Sequence, residues 1–599
     1  MTNSDLSIVH GAPHRDAVVL DRYLDRVRRT PDAPALLDGD RSWSYAELDA
    51  LAGAVAGALG DRVRPGDLVG VCLDHSVALV AVALAVARRG AVYLPLGPRP
   101  GEQRLRTVAQ SLRLGCLVGD PALLPPEYAD AERQALPLPV EGLVASFAPV
   151  REAALGAPEG TYYAVMTSGS TGTPKAVAVG EASLGELLHW YQELTGLGPG
   201  DRHSLMIGAA FDPHLMELWA TLTSGAALVV APEEVRWDPS ALTGWWQRAG
   251  ITVGNLPTPL AEPVLSLPWP GGLALRHLVV GGDRLRRRPA PDVTASVHNA
   301  YGPAEATVVT TVHSMPAGAA PDGTDAPPIG LPRPGATVLV TDEDGRPVPR
   351  GTAGELRIGG GCLALGYLDA ELTARRFVAP PQGSEEVGRV YRTGDRVLMR
   401  PDGVLEFHGR LDDQVKVSGV RIEPAEVEAA FERDPRVRRA VVAARYDAGG
   451  AAQLVAFVQP ASAGELASGA ELLEQLRGWL PEQAVPTRIR LAEAFPLNAN
   501  GKVDRAALLA TDEQPDSPAA QDGSPTEQLV LRLCRELLGH GAVGPLDNFI
   551  DVGGNSLAAS RLLVALEEEC GVRLRAPQLL RQPDLRSLAE LVESRRVTA

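Results

Sequence analysis

Between Thr511 and Ser524 the chain reads TDEQPDSPAAQDGS, a stretch with no large apolar residue. Such a segment cannot bury enough surface to offset the entropy of ordering, so it reads as a flexible linker. It separates a long leading part from a short trailing one. The trailing part shows helical spacing of Leu, Val and Ile over Pro525–Leu538 and Ser556–Glu569, which predicts a helical domain. The leading part is too long for one hydrophobic core. Strand-like runs at Leu68–Cys72, Ala227–Val230, Leu278–Val280 and Val338–Val340 alternate there with amphipathic stretches, as in an α/β body. Ala78–Arg89 reads as a helix, Ala91–Leu96 as a strand, and the Pro- and Gly-rich Met315–Pro334 as a loop. A second, smaller α/β unit follows from Asp413, with a helix at Pro424–Arg433 and strands at Ala440–Ala444 and Leu454–Gln459.

Composition narrows the class of partner. Fifty-seven Lys and Arg against 74 Asp and Glu leave a net charge of −17. That balance disfavours nucleic acid or an anionic membrane, both of which attract basic surfaces. The five cysteines show neither a CxxC pair nor metal-ligand spacing, so a reduced cytoplasmic protein is expected. No signal peptide is evident, and the longest apolar stretch, Val77–Ala87, is too short to span a bilayer.

Three short segments carry chemistry. Thr167-Ser168-Gly169-Ser170-Thr171-Gly172-Thr173-Pro174-Lys175 follows the strand-like run Tyr162–Met166. Its glycines let backbone N–H groups converge on phosphate oxygens, and its hydroxyls and lysine add donors. It is not a Walker A loop, because Pro174 precedes the lysine. Taken alone it reads equally as a polar turn. Lys502, within Asn500-Gly-Lys-Val-Asp-Arg505, reads alone as a surface lysine in an Asn-Gly turn. Ser556, after Gly553-Gly-Asn555, reads alone as an ordinary N-cap.

Their order is far more specific than any one of them. The series runs Tyr45-Ala-Glu-Leu48, the Thr167 loop, Asn299-Ala-Tyr-Gly-Pro-Ala-Glu305, Gly354-Glu-Leu356, Gly366-Tyr-Leu368 and Tyr391-Arg-Thr-Gly-Asp395. It continues with Gly409–Lys416, Gly419-Val-Arg421-Ile422-Glu423 and the Lys502 segment. This order and spacing resemble the adenylate-forming enzymes, and Asp551–Leu557 resembles a phosphopantetheine attachment site. Over nearly the whole sequence the chain resembles the adenylation and peptidyl-carrier domains of nonribosomal peptide synthetases.

The resemblance implies an α/β fold with a large multi-sheet subdomain, a small α+β subdomain on a hinge, and a four-helix carrier. The boundaries expected are a disordered N-terminus at 1–15, the large subdomain at 16–412, the small one at 413–509, a linker at 510–523 and the carrier at 524–599. It implies activation of an amino acid with ATP and Mg²⁺, then transfer to 4'-phosphopantetheine on Ser556. Lys502 would be the catalytic lysine and Asp412 the hinge. Glu305 would hold Mg²⁺, a hard cation that prefers oxygen. The phosphate loop, Asn299, Ala300, Gly302, Phe407, Arg410 and Lys416 would line the nucleotide. Asp395 would take the ribose hydroxyls, and Tyr301 and the Gly281-Gly282 backbone would sandwich adenine. The small subdomain would alternate between two orientations, and Gly419 would flank the pantetheine tunnel in the second.

Departures from the family pattern are Gly97 for an aspartate, Ala176 for a glycine, Leu365 for an arginine, Ala304 for a threonine and His214 for a serine. A lone histidine at 214 is expected to pack rather than catalyse. The implied substrate pocket comprises Asp212, Pro213, Met216, Pro259, Val279, Gly281, Ala300, Val308, Val309 and Lys502. Asp212 and Lys502 would hold the ammonium and carboxylate. The remaining positions offer no charged side chain, so a charged substrate would be left unpaired. Small residues at Gly281 and Ala300 predict a slot for an aromatic L-amino acid of the Tyr, Trp or Phe type. Alternatives are an aryl or acyl acid ligase with a carrier, which Asp212 argues against, and a non-catalytic carrier scaffold. No condensation or thioesterase domain fits in the chain, so the product is expected to stay tethered. Expected partners are a phosphopantetheinyl transferase, a tailoring enzyme or condensation domain, and an MbtH-like activator.

Overall fold

The alternation of apolar runs and helices builds three sheets in the large unit. A computed structural model describes the chain except residues 1–5, 13–17, 126–127, 129–131, 141, 149–156, 168–174, 237, 319–325, 383, 418, 447–451, 462–468, 493, 497–502, 513–522, 539–542, 550–551, 553, 555, 576–577, 580 and 597–599. In an eight-stranded sheet, Leu68–Cys72 pairs in parallel with Val92–Pro95 and with Cys116–Gly119. The crossover between the first two is the helix Val77–Arg88, buried along most of its length and capped by the Ser76 hydroxyl, which accepts the Leu79 N–H. Its apolar run is thus a core helix, as its length predicts. On the edge beyond lie Thr161–Thr167 and Lys175–Gly180, antiparallel to one another.

A nine-stranded sheet sets Arg202–Leu205, Val253–Pro257, His277–Gly281 and Ser296–Tyr301 side by side in parallel. The carboxyl ends of such strands are where ligands bind in open α/β sheets, and Gly281 and Tyr301 stand there. The third sheet, six-stranded and antiparallel, carries Val390–Met399 and Leu405–Arg410, from which Asp395 and Arg410 project.

The small unit holds a hairpin, Val415–Val417 with Val420–Ile422, and a three-stranded sheet of Val437–Tyr446, Ala452–Pro460 and Arg488–Leu491. Helices Pro424–Phe431 and Gly469–Trp479 cover it. The carrier packs helices Pro525–Leu538, Ser556–Cys570 and Leu585–Arg596 around Val530, Leu562, Leu566 and Val592. Its helix Ser556–Cys570 packs against Thr258–Ser266 of the large unit.

Two expectations are corrected. The N-terminus is not disordered throughout, because Ile8–His10 forms an edge strand antiparallel to Ala336–Thr341, with Ser7 fully buried. Three residues are too few to display the period of two that marks a strand. The loop expected at Met315–Pro334 is bounded by structure, since Leu331–Pro332 pairs back onto Thr311–Met315. Among the described residues no helix is long and apolar enough to cross a membrane. Burial pushes the thiols of Cys72, Cys362 and Cys534 up to about 12, as suits packing rather than nucleophilic use.

Candidate active site

The residues expected to line the nucleotide meet where the nine-stranded and six-stranded sheets approach the small unit's hairpin. Asn299 is buried, with its side-chain amide donating to Pro328 O, and it leads into Ala300 and Tyr301. The Tyr301 hydroxyl donates to Asp395, whose other oxygen accepts from Arg410 at 2.6 Å. Phe407 stands 6.5 Å from the Tyr301 ring, centroid to centroid, and the Lys416 ammonium 5.7 Å from the same centroid. The structure therefore brings Tyr301, Asp395, Phe407, Arg410 and Lys416 together. Arg410 also donates two hydrogen bonds to Asp412, at 2.6 and 2.7 Å, tying the expected hinge to the ribose-side residues. Gly394 must be glycine here: its φ is +73°, and a Cβ would lie 2.8 Å from Arg410 Nη2. Gly282, with φ +95°, faces Gly419, which in turn lies against Pro257 and Pro259.

The phosphate end is a cluster of charge. Glu305 is 1% exposed; it accepts from the Tyr367 hydroxyl at 2.6 Å and from Arg421 of the small unit at 3.3 Å to each oxygen. Burial alone would raise its pKa, but the Arg421 charge and the Tyr367 hydrogen bond outweigh that and hold it below the ordinary range. An ionised, buried carboxylate that already attracts a cation fits a magnesium ligand, since Mg²⁺ takes few protein oxygens and leaves the rest to phosphates and water. Lys175 borders the same cluster; burial lowers its pKa, and Glu423 is the foremost charge opposing that. Ser168, Gly169, Ser170, Thr171, Gly172 and Lys502 lie outside the described residues. Thr167 ends its strand with its hydroxyl donating to Lys175 O at 3.5 Å.

The pocket expected for the amino acid begins at Asp212. It occupies the N-cap position of helix Pro213–Ser224, yet its side chain makes no cap hydrogen bond. Its Oδ2 is shielded from solvent and has no hydrogen-bond partner among the described residues. Burial, and then the Glu305 charge, push its carboxyl up to about 7. Beyond it Met216, Val279, Ala300, Val308 and Val309 join one apolar cluster, each under a tenth exposed. Gly281 and Ala300 are register partners, and Val279 points to the same face two residues earlier. A Cβ on Gly281 would sit 2.9 Å from Ala300 O, so that wall admits glycine alone. Val308 is held at φ +63°, a conformation unusual for a β-branched residue, and Arg333 Nε donates to Val309 O at 2.6 Å. His214 is fully buried, with Nδ1 2.5 Å from Phe211 O; it packs as expected.

Sequence reasoning missed the residues that brace this pocket. Glu217 Oε2 accepts from Met206 N and Ile207 N, both at 3.0 Å, while the His75 ring lies 2.7 Å from Ile207 O. Together they clip the segment that delivers Asp212. The two residues sit inside or beside apolar runs, where a polar side chain signals nothing until its partners are known. Arg421 stood in a motif without a role, because its contact with Glu305 spans 116 residues.

At the carrier, Gly554 is required because a Cβ would lie 2.4 Å from the Phe549 ring, which tightens the turn before the helix that begins at Ser556. A helix N-terminus favours a phosphate and so suits phosphopantetheine attachment. That helix packs on Thr258–Ser266, the helix that starts beside Gly419.

A fold of this kind, with a nucleotide end, an apolar slot and a carrier helix at its mouth, defines an adenylating ligase joined to a carrier. The chain belongs to the AMP-binding enzyme family, whose sequence model matches residues 24–368, with the AMP-binding enzyme C-terminal domain at 426–502 and a phosphopantetheine attachment site at 528–592. It is 36% identical over 585 residues to a linear gramicidin synthase polypeptide of Brevibacillus parabrevis, covering 96% of this chain and 8% of that protein. It is 36% identical over 601 residues to phosphinothricin tripeptide synthetase PhsC of Streptomyces viridochromogenes, covering 96% and 52%. The chain thus spans only part of these relatives. Among solved structures, holo-PA1221, an NRPS protein containing adenylation and PCP domains, matches with a TM-score of 0.76 at 28% identity, covering 98% of this chain and 99% of that one. The architecture is that of a nonribosomal peptide synthetase adenylation–carrier didomain.

Proposed function

We propose that the protein activates an aromatic L-amino acid as its aminoacyl adenylate and loads it onto its own carrier domain. The observation that carries this reading is Asp212, a shielded carboxylate with an unpartnered oxygen at the head of an apolar slot. Such an oxygen suits a substrate ammonium, because a buried polar group left unpaired is unfavourable. Aryl and fatty acids bring no ammonium, so the same observation disfavours an acyl ligase.

The substrate carboxylate attacks the α-phosphorus of ATP, the bond to the bridging oxygen breaks, and pyrophosphate leaves with the electron pair. Lys502, from the small unit, would stabilise the charge developing on the α-phosphate. Asp395 and Arg410 orient the ribose side, and Tyr301 supplies a flat apolar face for the base. Magnesium, held by Glu305, would neutralise the departing phosphates. Phosphopantetheine on Ser556 would supply the thiol that accepts the acyl group, the acyl–phosphate bond breaking and AMP leaving. A phosphopantetheinyl transferase is therefore a required partner, and a condensation domain or tailoring enzyme the consumer of the tethered product.

The test is amino-acid-dependent ATP–pyrophosphate exchange over the twenty amino acids and ring-substituted relatives. Strongest exchange with an aromatic residue is expected; preference for a charged or small residue would refute the slot. Because Gly281 tolerates no Cβ, the slot is better filled from Ala300. Ala300→Leu should depress exchange with the aromatic substrate by roughly tenfold or more and exchange with alanine much less, the scale expected when a pocket loses one or more methylenes' worth of room.

A further inference from the structure

Among the described residues only three besides glycine have a positive φ, and two of them adjoin one another at the slot: Thr307 at +53° and Val308 at +63°. The Val309 N–H donates to Thr307 O at 2.7 Å, a bond that spans Val308 alone. An i→i+2 bond around a residue of positive φ is the rare, strained form of γ-turn. The turn is backed closely by Gly302, where a Cβ would lie 2.4 Å from Val308 O and 2.8 Å from Thr310 N. Strain of this kind persists only where the surrounding structure over-determines it.

Arg333, 1% exposed, holds the backbone on the far side of the turn. Its Nε donates to Val309 O at 2.6 Å and its backbone N–H to Thr310 O at 2.9 Å. The other end of the guanidinium is anchored separately. Nη1 donates to Pro334 O at 3.1 Å and lies 3.6 Å from Glu186 of helix Glu181–Thr195, in an ion pair whose side chains are 0% and 3% exposed. That carboxylate fills space which only glycine leaves at 335: a Cβ there would lie 1.2 Å from Glu186 Oε1, and φ of Gly335 is +75°. A charged donor makes a stronger hydrogen bond than a neutral one, and a buried guanidinium needs the counter-charge that Glu186 provides.

We propose that Arg333 is a positioning residue for amino-acid selection, holding the Thr307–Val309 turn in the shape that walls the slot while Glu186 keeps its guanidinium in place. Selectivity then depends on an ion pair outside the implied pocket positions. Within the one side chain the duties are divided: Nε serves the turn, and Nη1 serves the ion pair.

The inference rests on Val308 and Val309 lining the slot, as the proposed function has it, and the experiment tells the two apart. The full chain is assayed by ATP–pyrophosphate exchange with L-phenylalanine, L-tyrosine, L-tryptophan and L-alanine, with a thermal melt of each variant. Arg333→Lys places a carbon where Nε stood and an ammonium near Glu186, so it keeps the ion pair and loses the donor to the turn. It should melt like wild type, yet the ratio of kcat/KM for the preferred aromatic to that for alanine should fall by roughly tenfold. The loss should lie in the amino-acid KM, with the ATP KM changed by less than about twofold. Glu186→Gln keeps Nε and should do the reverse, lowering the melting temperature and leaving the ratio nearly intact. Arg333→Met combined with Glu186→Gln removes the donor and both charges together, stranding neither. It should lose the ratio as the lysine variant does, and it carries the test if Arg333→Lys does not melt cooperatively. A folded variant without the Nε donor that keeps the wild-type ratio overturns the inference. So does an equal loss for all four amino acids, which marks a merely structural role. Val308→Ala checks the slot itself. If it shifts the spectrum while the Arg333 variants do not, this inference alone fails; if it leaves the spectrum unchanged, the slot reading fails and this inference with it.

Discussion

The amino-acid slot and the phosphate end lie close together but are made differently. Among the described residues the slot is lined by the large unit, by strands His277–Gly281 and Ser296–Tyr301 and helix Pro213–Ser224, and apart from Asp212 those pocket positions are apolar. The phosphate end is a seam: Glu305, Lys175 and Tyr367 come from the large unit, Arg421 and Glu423 from the small one. Apolar walls cannot part without exposing surface to water. Charged partners can, provided something of the same sign replaces them. On the proposed reading, the described part of amino-acid recognition belongs to the large unit, whereas the phosphate end is shared between the two units.

The comparison can be broken most completely at the carrier. Ser556→Ala should abolish covalent loading and leave adenylate formation intact, read by intact-protein mass after treatment with a phosphopantetheinyl transferase and coenzyme A. A mass gain in the mutant would place the arm elsewhere. Lys502→Ala should slow adenylate formation by roughly 10²–10³, about 2.7–4 kcal/mol. Thioester formation from preformed adenylate should fall much less, and equal loss of both would contradict a small unit that serves the two steps in turn.

In the slot, Asp212→Asn removes the partner of the ammonium. It should lower kcat/KM for the amino acid by about 10- to 150-fold, the scale of a hydrogen bond to a charged group. Because the Asp212 carboxyl is pushed up to about 7, its ionised form declines as pH falls through that value. The amino-acid KM of the wild type should therefore rise roughly tenfold per unit below about pH 7, and Asp212→Asn should flatten that limb. The smallest effect is expected at Glu217, whose pKa burial raises well above its ordinary range and whose Oε2 accepts two backbone N–H groups. Glu217→Gln should change the melting temperature little. Glu217→Ala should destabilise by about 1–3 kcal/mol through the N–H groups left unpaired.

The slot was more legible in the sequence than the seam. Val279, Gly281 and Ala300 were expected together only because the family's pocket positions fall on them, and the parallel register of His277–Gly281 with Ser296–Tyr301 sets them side by side. The hairpin strand bearing Arg421 was legible only as part of a motif, because nothing local shows that it meets Glu305. His75 and Glu217 were missed for the same reason: their partners are backbone groups brought near by folding. The edge strand Ile8–His10 was missed because its partner, Ala336–Thr341, lies more than three hundred residues away.

The positive φ of Val308 bears on how the slot can change over generations. Strain of this kind stores roughly 1–3 kcal/mol, which glycine would release. The buried valine side chain contributes about 1.5–3 kcal/mol by its removal from water. The two partly offset one another, although glycine would also leave a cavity and loosen the unfolded chain. Exchange of valine for glycine therefore costs less here than at a buried valine with ordinary φ, and on the proposed reading it would enlarge the slot.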